Sequence, residues 1–398
     1  MLISEEEFIQ KYSKYGFDDF VKKIKSYIDD PQILENEIRE KEEESSNILT
    51  LPKPDEYSYF MTRYKGLIEN EKRLKNFFIS LHQPRSELKR DHTPTILDIE
   101  PVSRCNFRCI MCQLSTWENG KREEDLDIND YKKFIDSQFG LTEIKLQGIG
   151  EPLLHADFFE MVKYAVKKKI WVRTTINGSL LLENDNYIKL IDSGINDIQI
   201  SFDGATKDIF EKIRKQSNFE QVKENLTKLN TYANSLNKNV TNMWVLLQEH
   251  NKHQILDFVN IAREMNFKKM TFSIGLGFWG QKKWEKANSK KVAKNAFNED
   301  IRNKLIELKK SSNIDITIWD LQSKFSIKEE KKLCPWPFNR YFVGSDMRTS
   351  PCCMIANPDV YTLGNQKKID NWNTKEFIEF REKHLTGNIP DVCKNCYE

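Results

Sequence analysis

Three cysteines, Cys105, Cys109 and Cys112, stand in SRCNFRCIMCQ (103–113) at the spacing C-x3-C-x2-C. Structural zinc asks for four ligands, usually from paired C-x2-C knuckles, so three thiols in one short loop suit it poorly. On a cubic 4Fe–4S cluster three thiolates leave one iron without a protein ligand, whereas a closed electron carrier uses four cysteines. An open iron can be chelated by a substrate or a cofactor. The spacing therefore points to a cluster with a free corner. A zinc or redox loop completed by a distant residue is the competing reading.

Five further cysteines, Cys334, Cys352, Cys353, Cys393 and Cys396, form a second group more than two hundred residues away. Eight cysteines gathered in two clusters do not read as an extracellular disulfide scaffold. In a reducing cytoplasm they read as metal or iron–sulfur ligands. The N-terminal MLISEEEFIQKYSK lacks the basic-then-apolar pattern of a secretory signal. No apolar run approaches the ~20 residues of a membrane span. The expected location is the cytoplasm. Lys and Arg total 62 against 60 Asp and Glu, a net of +2. That balance argues against a nucleic-acid binder, which needs a basic excess. With 39% hydrophobic and 11% aromatic residues, the 398-residue chain is globular and long enough for one large domain with appendages.

The elements that would carry these cysteines alternate. ILDIE in HTPTILDIEPVS (92–103) reads as a strand delivering the first group to a loop. Strands follow at 143–148, 170–176, 197–204, 242–248 and 268–274, with helices at 157–169, 186–194, 207–215, 219–233 and 254–265. Gly194 suits a helix C-cap. Six strands alternating with helices predict an α/β fold with a parallel sheet, a complete or partial (β/α)6 TIM-like barrel. Its catalytic groups belong at the strands' C-terminal ends. Residues 1–93 read as a helical N-terminal prefix, with Phe8, Ile9, Tyr12, Phe17, Phe20, Val21, Ile24 and Ile28 at helical spacing. The core spans 94–280. A connecting segment, 281–333, has room for a last helix and strand. Its basic run QKKWEKANSKKVAKN (281–295) reads as a solvated helix face, a phosphate-bearing substrate being the alternative. Residues 334–398 form a small loop-rich extension for which metal ligation is a plausible staple. The acidic run 39–47 reads as a solvated helix end or linker.

Read together, CNFRCIMC and four further strand-end motifs resemble the radical S-adenosylmethionine (radical SAM) superfamily. QGIGEPLLH (147–155) is similar to its GGEP element with Ile149 replacing one glycine. TTINGSLL (174–181) is similar to its TNG element, ISFDGATKDIFEKIR (200–214) to its S-x-D-G element, and LLQEHN (246–251) corresponds by position only. The resemblance implies that Glu151, with Gly148 and Gly150 admitting close backbone approach, faces the methionine amino group. Asn177, Ser201, Asp203 and Arg214 are the other implied cofactor contacts, and Met111 stands where the family has an aromatic near the adenine. The plainer alternatives are strand-to-helix and Asn-Gly turns and a helix cap at Asp203; for Arg214 a surface helix position is the preferred reading and the family contact the alternative.

The C-terminal group resembles the SPASM/twitch extension of these enzymes. Cys334, Cys352, Cys393 and Cys396 would ligate one auxiliary 4Fe–4S cluster, with Cys352 preferred to its neighbour because it follows Pro351 as in the family pattern. Zinc is the alternative. Cys353 is then spare: a small buried residue or a hydrogen-atom donor to a substrate radical. The implied cofactors are two 4Fe–4S clusters and S-adenosylmethionine, with a flavodoxin- or ferredoxin-type reductant. The implied chemistry is reductive cleavage to a 5′-deoxyadenosyl radical, hydrogen abstraction, and electron transfer to the auxiliary cluster. The leading expectation is therefore an oxidoreductase acting on a small polar, sugar-like metabolite. The alternatives are a peptide-modifying maturase, redox-neutral epimerisation, and a non-catalytic iron–sulfur or zinc protein. A peptide-recognition domain would contain strands followed by helices, which the helical prefix does not suggest.

Overall fold

The computed structural model describes all residues except 1, 46–47, 118–121, 123, 294, 320–324, 368–371 and 398. The end of the acidic run 39–47 and position 294 of the basic run lie outside the described residues. The prefix contains α1 (Glu5–Tyr12), α2 (Phe17–Asp29), α3 (Pro31–Ser45), α4 (Glu56–Ile68) and α5 (Glu71–His82). The barrel region runs β1 (Ile96–Ile99), α6 (Ile128–Ser137), β2 (Glu143–Leu146), α7 (Phe158–Lys167), β3 (Trp171–Ile176), α8 (Asn186–Asp192), β4 (Asp197–Ser201), α9 (Lys207–Ile213), α10 (Phe219–Ser235), β5 (Thr241–Leu246), α11 (Ile255–Glu264) and β6 (Lys269–Ser273). Then come α12 (Lys282–Ser289), α13 (Glu299–Ser312) and β7 (Asp315–Trp319). The extension adds α14 (Trp336–Asn339), β8 (Phe342–Val343), β9 (Arg348–Ser350), β10 (Gly364–Asn365) and α15 (Lys375–Leu385).

One sheet joins all of these strands in the order β10-β9-β8-β1-β2-β3-β4-β5-β6-β7. Strands β1 to β7 are parallel in sequence order, so the helices cross over on one side and the other face curls into a lumen. The order is linear, with β7 and β10 at its ends, so the barrel is partial. The strand allowed for in 281–333 is β7, which pairs with β6. On the other side β8 of the extension pairs in parallel with β1, Asp98 beside Phe342. Gly194 takes φ +83° just after α8, as its predicted cap role requires.

Side-chain alternation sorts the strands. Leu97 and Ile99, Ile144 and Leu146, Val172 and Ile176, and Ile198 and Ile200 join the core beneath the helices. Their neighbours Asp98, Lys145, Arg173 and Asp197 therefore face the lumen. Both faces of a parallel sheet are normally apolar. This one carries a charged inner face, which marks it as a working surface.

The prefix has its own small cores, such as Phe8, Tyr12, Phe78 and Ile79. Ile9, one residue from Phe8, departs from the expected apolar face: it is 55% exposed because Phe8 and Tyr12, one turn apart, take the single packed stripe of α1. Helix α4 docks at the N-terminal ends of the strands, opposite the expected catalytic end. Its Tyr59 hydroxyl donates to Glu143 Oε2 at 2.9 Å, and its ring meets Trp171 edge-on at 5.1 Å. The stretch between α5 and β1 braces the extension: Trp372 Nε1 donates to the His92 carbonyl and Arg381 Nη1 to the Leu88 carbonyl. Among the described residues no helix is long and apolar enough to cross a membrane.

Candidate functional site

The cysteine loop is pinned by backbone on two sides. Arg108 N and Ile110 N donate to the carbonyls of Lys215, just past α9, and Ile213, its last residue, and Glu151 N donates to the carbonyl of Arg104. The segment after β6 closes over the loop. Asn288 Nδ2 and Trp279 Nε1 donate to the Met111 carbonyl, and Lys291 Nζ donates to the Ile110 carbonyl at 2.7 Å. The expectation of a solvated basic face holds for the exposed Lys282, Lys283, Lys286 and Lys290, but Lys291 turns inward onto the loop. Met111 is buried against Ile213 and Leu276.

The three loop thiols are partly buried, and none of the eight cysteines is in a disulfide. Burial, followed by the nearby Glu151 carboxylate and the other two thiols, lifts Cys105 to about 12. Burial and the Cys109 thiol likewise lift Cys112 to about 12. Bare thiols here stay protonated, so a bound group must displace protons and hold the thiolates. Two donors face the sulfurs. Asn177 Nδ2 lies 3.9 Å from Cys105 Sγ, and Arg214 Nη1 lies 4.0 Å from Cys109 Sγ. Such donors suit sulfurs that carry the charge of an anionic iron–sulfur cluster. Among the described residues no three His, Cys, Asp or Glu side chains are placed to hold a single metal ion.

Glu151 is 3% exposed and accepts from Asn177 N at 2.8 Å. Burial pushes its carboxyl up to about 7 against the pull of that hydrogen bond and of Arg214. A cationic ligand group would restore its charge. Asn177 also donates to Asn106 Oδ1 at 2.8 Å and accepts from Ser179, fixing the TNG-like turn to the cysteine loop. Ser201 closes β4 on the lumen side, half-buried. A side chain at Gly148 would collide with Glu100, and one at Gly150 with the carbonyls of Val102 and Arg104. Both glycines thus serve close packing of this turn on the cysteine strand.

The preferred surface reading of Arg214 and the cap reading of Asp203 need correction. Arg214 is 7% exposed, not a surface helix position, and its Nη2 donates to Asp203 Oδ2 at 2.6 Å. Asp203 also accepts from Leu246 N at 2.8 Å, and the cap of α9 is Thr206. Each carboxylate oxygen thus has one protein partner, Arg214 on one side and the β5 backbone on the other. In LLQEHN, Asn251 ties Asp203 and Leu246 together by their carbonyls. Gln248 is fully buried and neither of its amide atoms has a partner among the described residues.

In the extension, burial and then the Cys396 thiol raise Cys334, and burial and then the Cys334 and Cys396 thiols raise Cys393. Cys352 is lifted by burial and then by Cys353, Cys334 and Cys393. Cys353 behaves differently: after burial, its neighbours are Asp98, Lys145 and Arg340. It also borders an apolar patch of Leu114, Ile149, Phe342 and Ala356, shared with Cys105 and Cys112. Cys352 thus turns toward the C-terminal thiols, and Cys353 toward the lumen and the first loop.

Several site residues escaped the sequence reading. Glu100, fully buried, accepts from Arg122, from Ile149 N and from Ser345, joining β1, the GIGE turn and the extension. Asp98 and Lys145 face the lumen. Their signal was legible in I-L-D-I-E and E-I-K-L-Q, where charge alternates along strands that read as buried. Asn106 and Arg122 carried no local signal.

Residues 99–262 match the family model of the Radical SAM superfamily, and residues 334–397 match that of an iron-sulfur cluster-binding domain, SPASM. The PqqA peptide cyclase of Bradyrhizobium diazoefficiens is 21% identical over 326 residues, 79% of this chain and 82% of that protein. The tungsten-containing aldehyde ferredoxin oxidoreductase cofactor-modifying protein of Pyrococcus furiosus is 35% identical over 111 residues, 27% of this chain and 30% of that one. Among solved structures, Streptococcus suis SuiB bound to its precursor peptide SuiA aligns with a TM-score of 0.53 at 14% identity, covering 74% of this chain and 66% of that one. Histidine-tagged anSMEcpe with bound AdoMet aligns with a TM-score of 0.53 at 19% identity, covering 76% and 86%. These structural likenesses bear on the fold.

Proposed function

The chain belongs to the radical SAM superfamily and carries a SPASM-type iron–sulfur extension, and from that premise we propose that it is a peptide-modifying radical enzyme. The observation that carries this reading is the likeness to the PqqA peptide cyclase, which spans most of both chains. It favours a peptide over the sugar-like metabolite expected from the sequence. When bound, the first cluster and S-adenosylmethionine supply one-electron cleavage and a radical able to take a hydrogen atom from an unactivated C–H bond.

The chain's own residues do the rest. Cys105, Cys109 and Cys112 would hold the first cluster, with Asn177 and Arg214 donating toward two of their sulfurs. Glu151 would accept from the ammonium of S-adenosylmethionine; Met111 and Gln248 would serve its base, and Ser201 its polar groups. Cys334, Cys352, Cys393 and Cys396 would hold the auxiliary cluster, a sink for the second electron in an oxidative outcome. The closing segment 276–293, bonded to the Met111 carbonyl, would shield the loop from water. Electrons would come from a flavodoxin- or ferredoxin-type partner in the cytoplasm, where the eight thiols remain reduced.

Two observations favour second readings. The described prefix is helical throughout, without the strands of a built-in peptide-recognition domain, which supports oxidation of a small polar metabolite. Cys353 faces the lumen, which supports redox-neutral epimerisation with this thiol returning a hydrogen atom.

The test is anaerobic reconstitution followed by dithionite and S-adenosylmethionine, with a random-sequence peptide pool or a pool of aminocyclitols and hexosamines. About eight irons per chain, with 5′-deoxyadenosine release stimulated by peptides that lose two hydrogens, is the expected result. Peptides unchanged in mass but carrying solvent deuterium would indicate epimerisation. Stimulation by the sugar pool alone would replace the peptide reading with the metabolite one. Bound zinc and no iron would end both.

A further inference from the structure

The lumen floor is a row of charges, one from each of four neighbouring strands. Asp98 on β1 pairs in register with Lys145 on β2, Lys145 with Arg173 on β3, and Arg173 with Asp197 on β4. Three of the four have partners. Arg173 lies 3.5 Å from both Glu143 and Asp197, and Lys145 Nζ donates to Gln199 Oε1 at 3.4 Å. Asp98 is only 4% exposed, yet among the described residues no hydrogen bond or ion pair reaches its carboxylate. One pleat nearer the cysteine loop, Gln147 Oε1 is buried and also without a partner. Cys353 and Arg340 of the extension border the same space, and Arg340 stacks on Trp336 at 4.1 Å.

Arg340 and Lys145 lie near enough to favour the charge of Asp98, but neither hydrogen-bonds to it, so this carboxylate and the Gln147 oxygen both stay open to a donor. The other groups of the floor are already engaged. Asp98 lies on the inner face of β1 and Gln147 directly follows β2, and these strand ends lead to Glu100 and the GIGE turn beside the cysteine loop.

We propose that Asp98, with Gln147, is the substrate anchor of the lumen, binding a donor-bearing group, an amide N–H or a hydroxyl, through the carboxylate. Asp98 sets how deep the substrate sits and therefore which of its C–H bonds lies at the cysteine-loop end. The assignment rests on the proposed function in taking the lumen as the substrate site. It applies equally to an amide from a peptide and to a hydroxyl from a sugar, and the experiment separates them.

The reconstituted full chain is compared with Asp98→Asn, which keeps one acceptor, and Asp98→Leu, which keeps none and is close in shape. Each is titrated with a capped random-sequence peptide pool and, separately, with the aminocyclitol and hexosamine pool. The readout is 5′-deoxyadenosine released above the substrate-free rate, with iron content as the folding control. For the responding pool, the half-saturating concentration should rise about tenfold or more in Asp98→Leu, with a smaller rise in Asp98→Asn. The plateau rate should change less than the half-saturating concentration. A response to the peptide pool alone makes a peptide the source of the donor, and a response to the sugar pool alone makes it a sugar. If Asp98→Leu takes up no iron, Asp98→Asn decides. An unchanged half-saturating concentration in an iron-loaded variant overturns the anchor and leaves the proposed function standing. If neither pool stimulates the wild type, both fall together.

Discussion

Arg214 and Asp203 form a buried ion pair, Nη2 to Oδ2 at 2.6 Å, that ties the end of β4 to the cysteine loop. Asp203 takes its second hydrogen bond from Leu246 N on β5. Arg214 is thereby held with its other amino group 4.0 Å from Cys109 Sγ. Two strand ends, one helix and one thiol of the cysteine loop meet around a single carboxylate.

Arg214→Ala would leave Asp203 charged, buried and short of its partner. Breaking such a pair costs about 3–5 kcal/mol. Denaturant unfolding should report a loss of that size, and reconstituted iron should fall chiefly at the first cluster. Arg214→Lys, which keeps the charge and loses the fork that reaches both Asp203 and Cys109, should fall between the two. Iron content and stability equal to wild type in Arg214→Ala would refute the positioning role.

Cys352 and Cys353 should separate cleanly. Replacing Cys352 with Ala should lower the iron count from about eight to about four, because the auxiliary set loses a thiolate. Replacing Cys353 should leave about eight, since its neighbours are Asp98, Lys145 and Arg340 rather than Cys334 or Cys393. The reverse pattern would exchange their roles. If Cys353 returns a hydrogen atom, its Ala variant should in addition lose solvent deuterium from the product.

His92 predicts an acid-sensitive joint between the barrel and the extension. Burial, and then Arg90, push its ring down to about 3; its Nδ1 donates to the Thr93 carbonyl, and Trp372 holds its own carbonyl. The unfolded ring takes a proton near 6.5 while the folded one stays neutral. The unfolded state therefore binds more protons as pH falls, so stability is full above 6.5 and declines below it. The slope approaches ~1.4 kcal/mol per pH unit well below 6.5 and is shallower near it. His92→Gln should flatten this part of the profile when urea midpoints are compared at pH 7.5 and 5.5. An unchanged slope would assign the acid sensitivity elsewhere.

Tyr59 lies at the opposite end of the barrel from the cysteine loop. Tyr59→Phe removes the hydrogen bond to Glu143 and should cost about 1 kcal/mol of stability. Cleavage of S-adenosylmethionine should stay at the wild-type rate. A large loss of cleavage with iron intact would mean that the floor is coupled to the loop.

The strand and helix positions were legible because their period is local. β2, β3, β4 and β6 fall within the stretches read from sequence, and β5 begins one residue earlier, at Thr241. The cysteine loop was legible for the same reason: C-x3-C-x2-C is a covalent spacing, and three thiols within eight residues point to one ligand set. Ile9 misled because apolar spacing alone does not say which stripe of a helix is packed.

What the sequence by itself determined, then, is the two thiol sets, the βα rhythm and the motifs at the strand ends. Direction and partnership came from the tertiary structure. Cys352 is extended, with φ −165° and ψ 170°, so it and its neighbour project to opposite sides, one toward the other thiols and one toward the lumen. The burial of Arg214, the row Asp98–Lys145–Arg173–Asp197 and the seat of α4 beneath the barrel likewise depend on register across separate strands. Register is set by long-range packing and hydrogen bonding, which no local stretch of the chain contains.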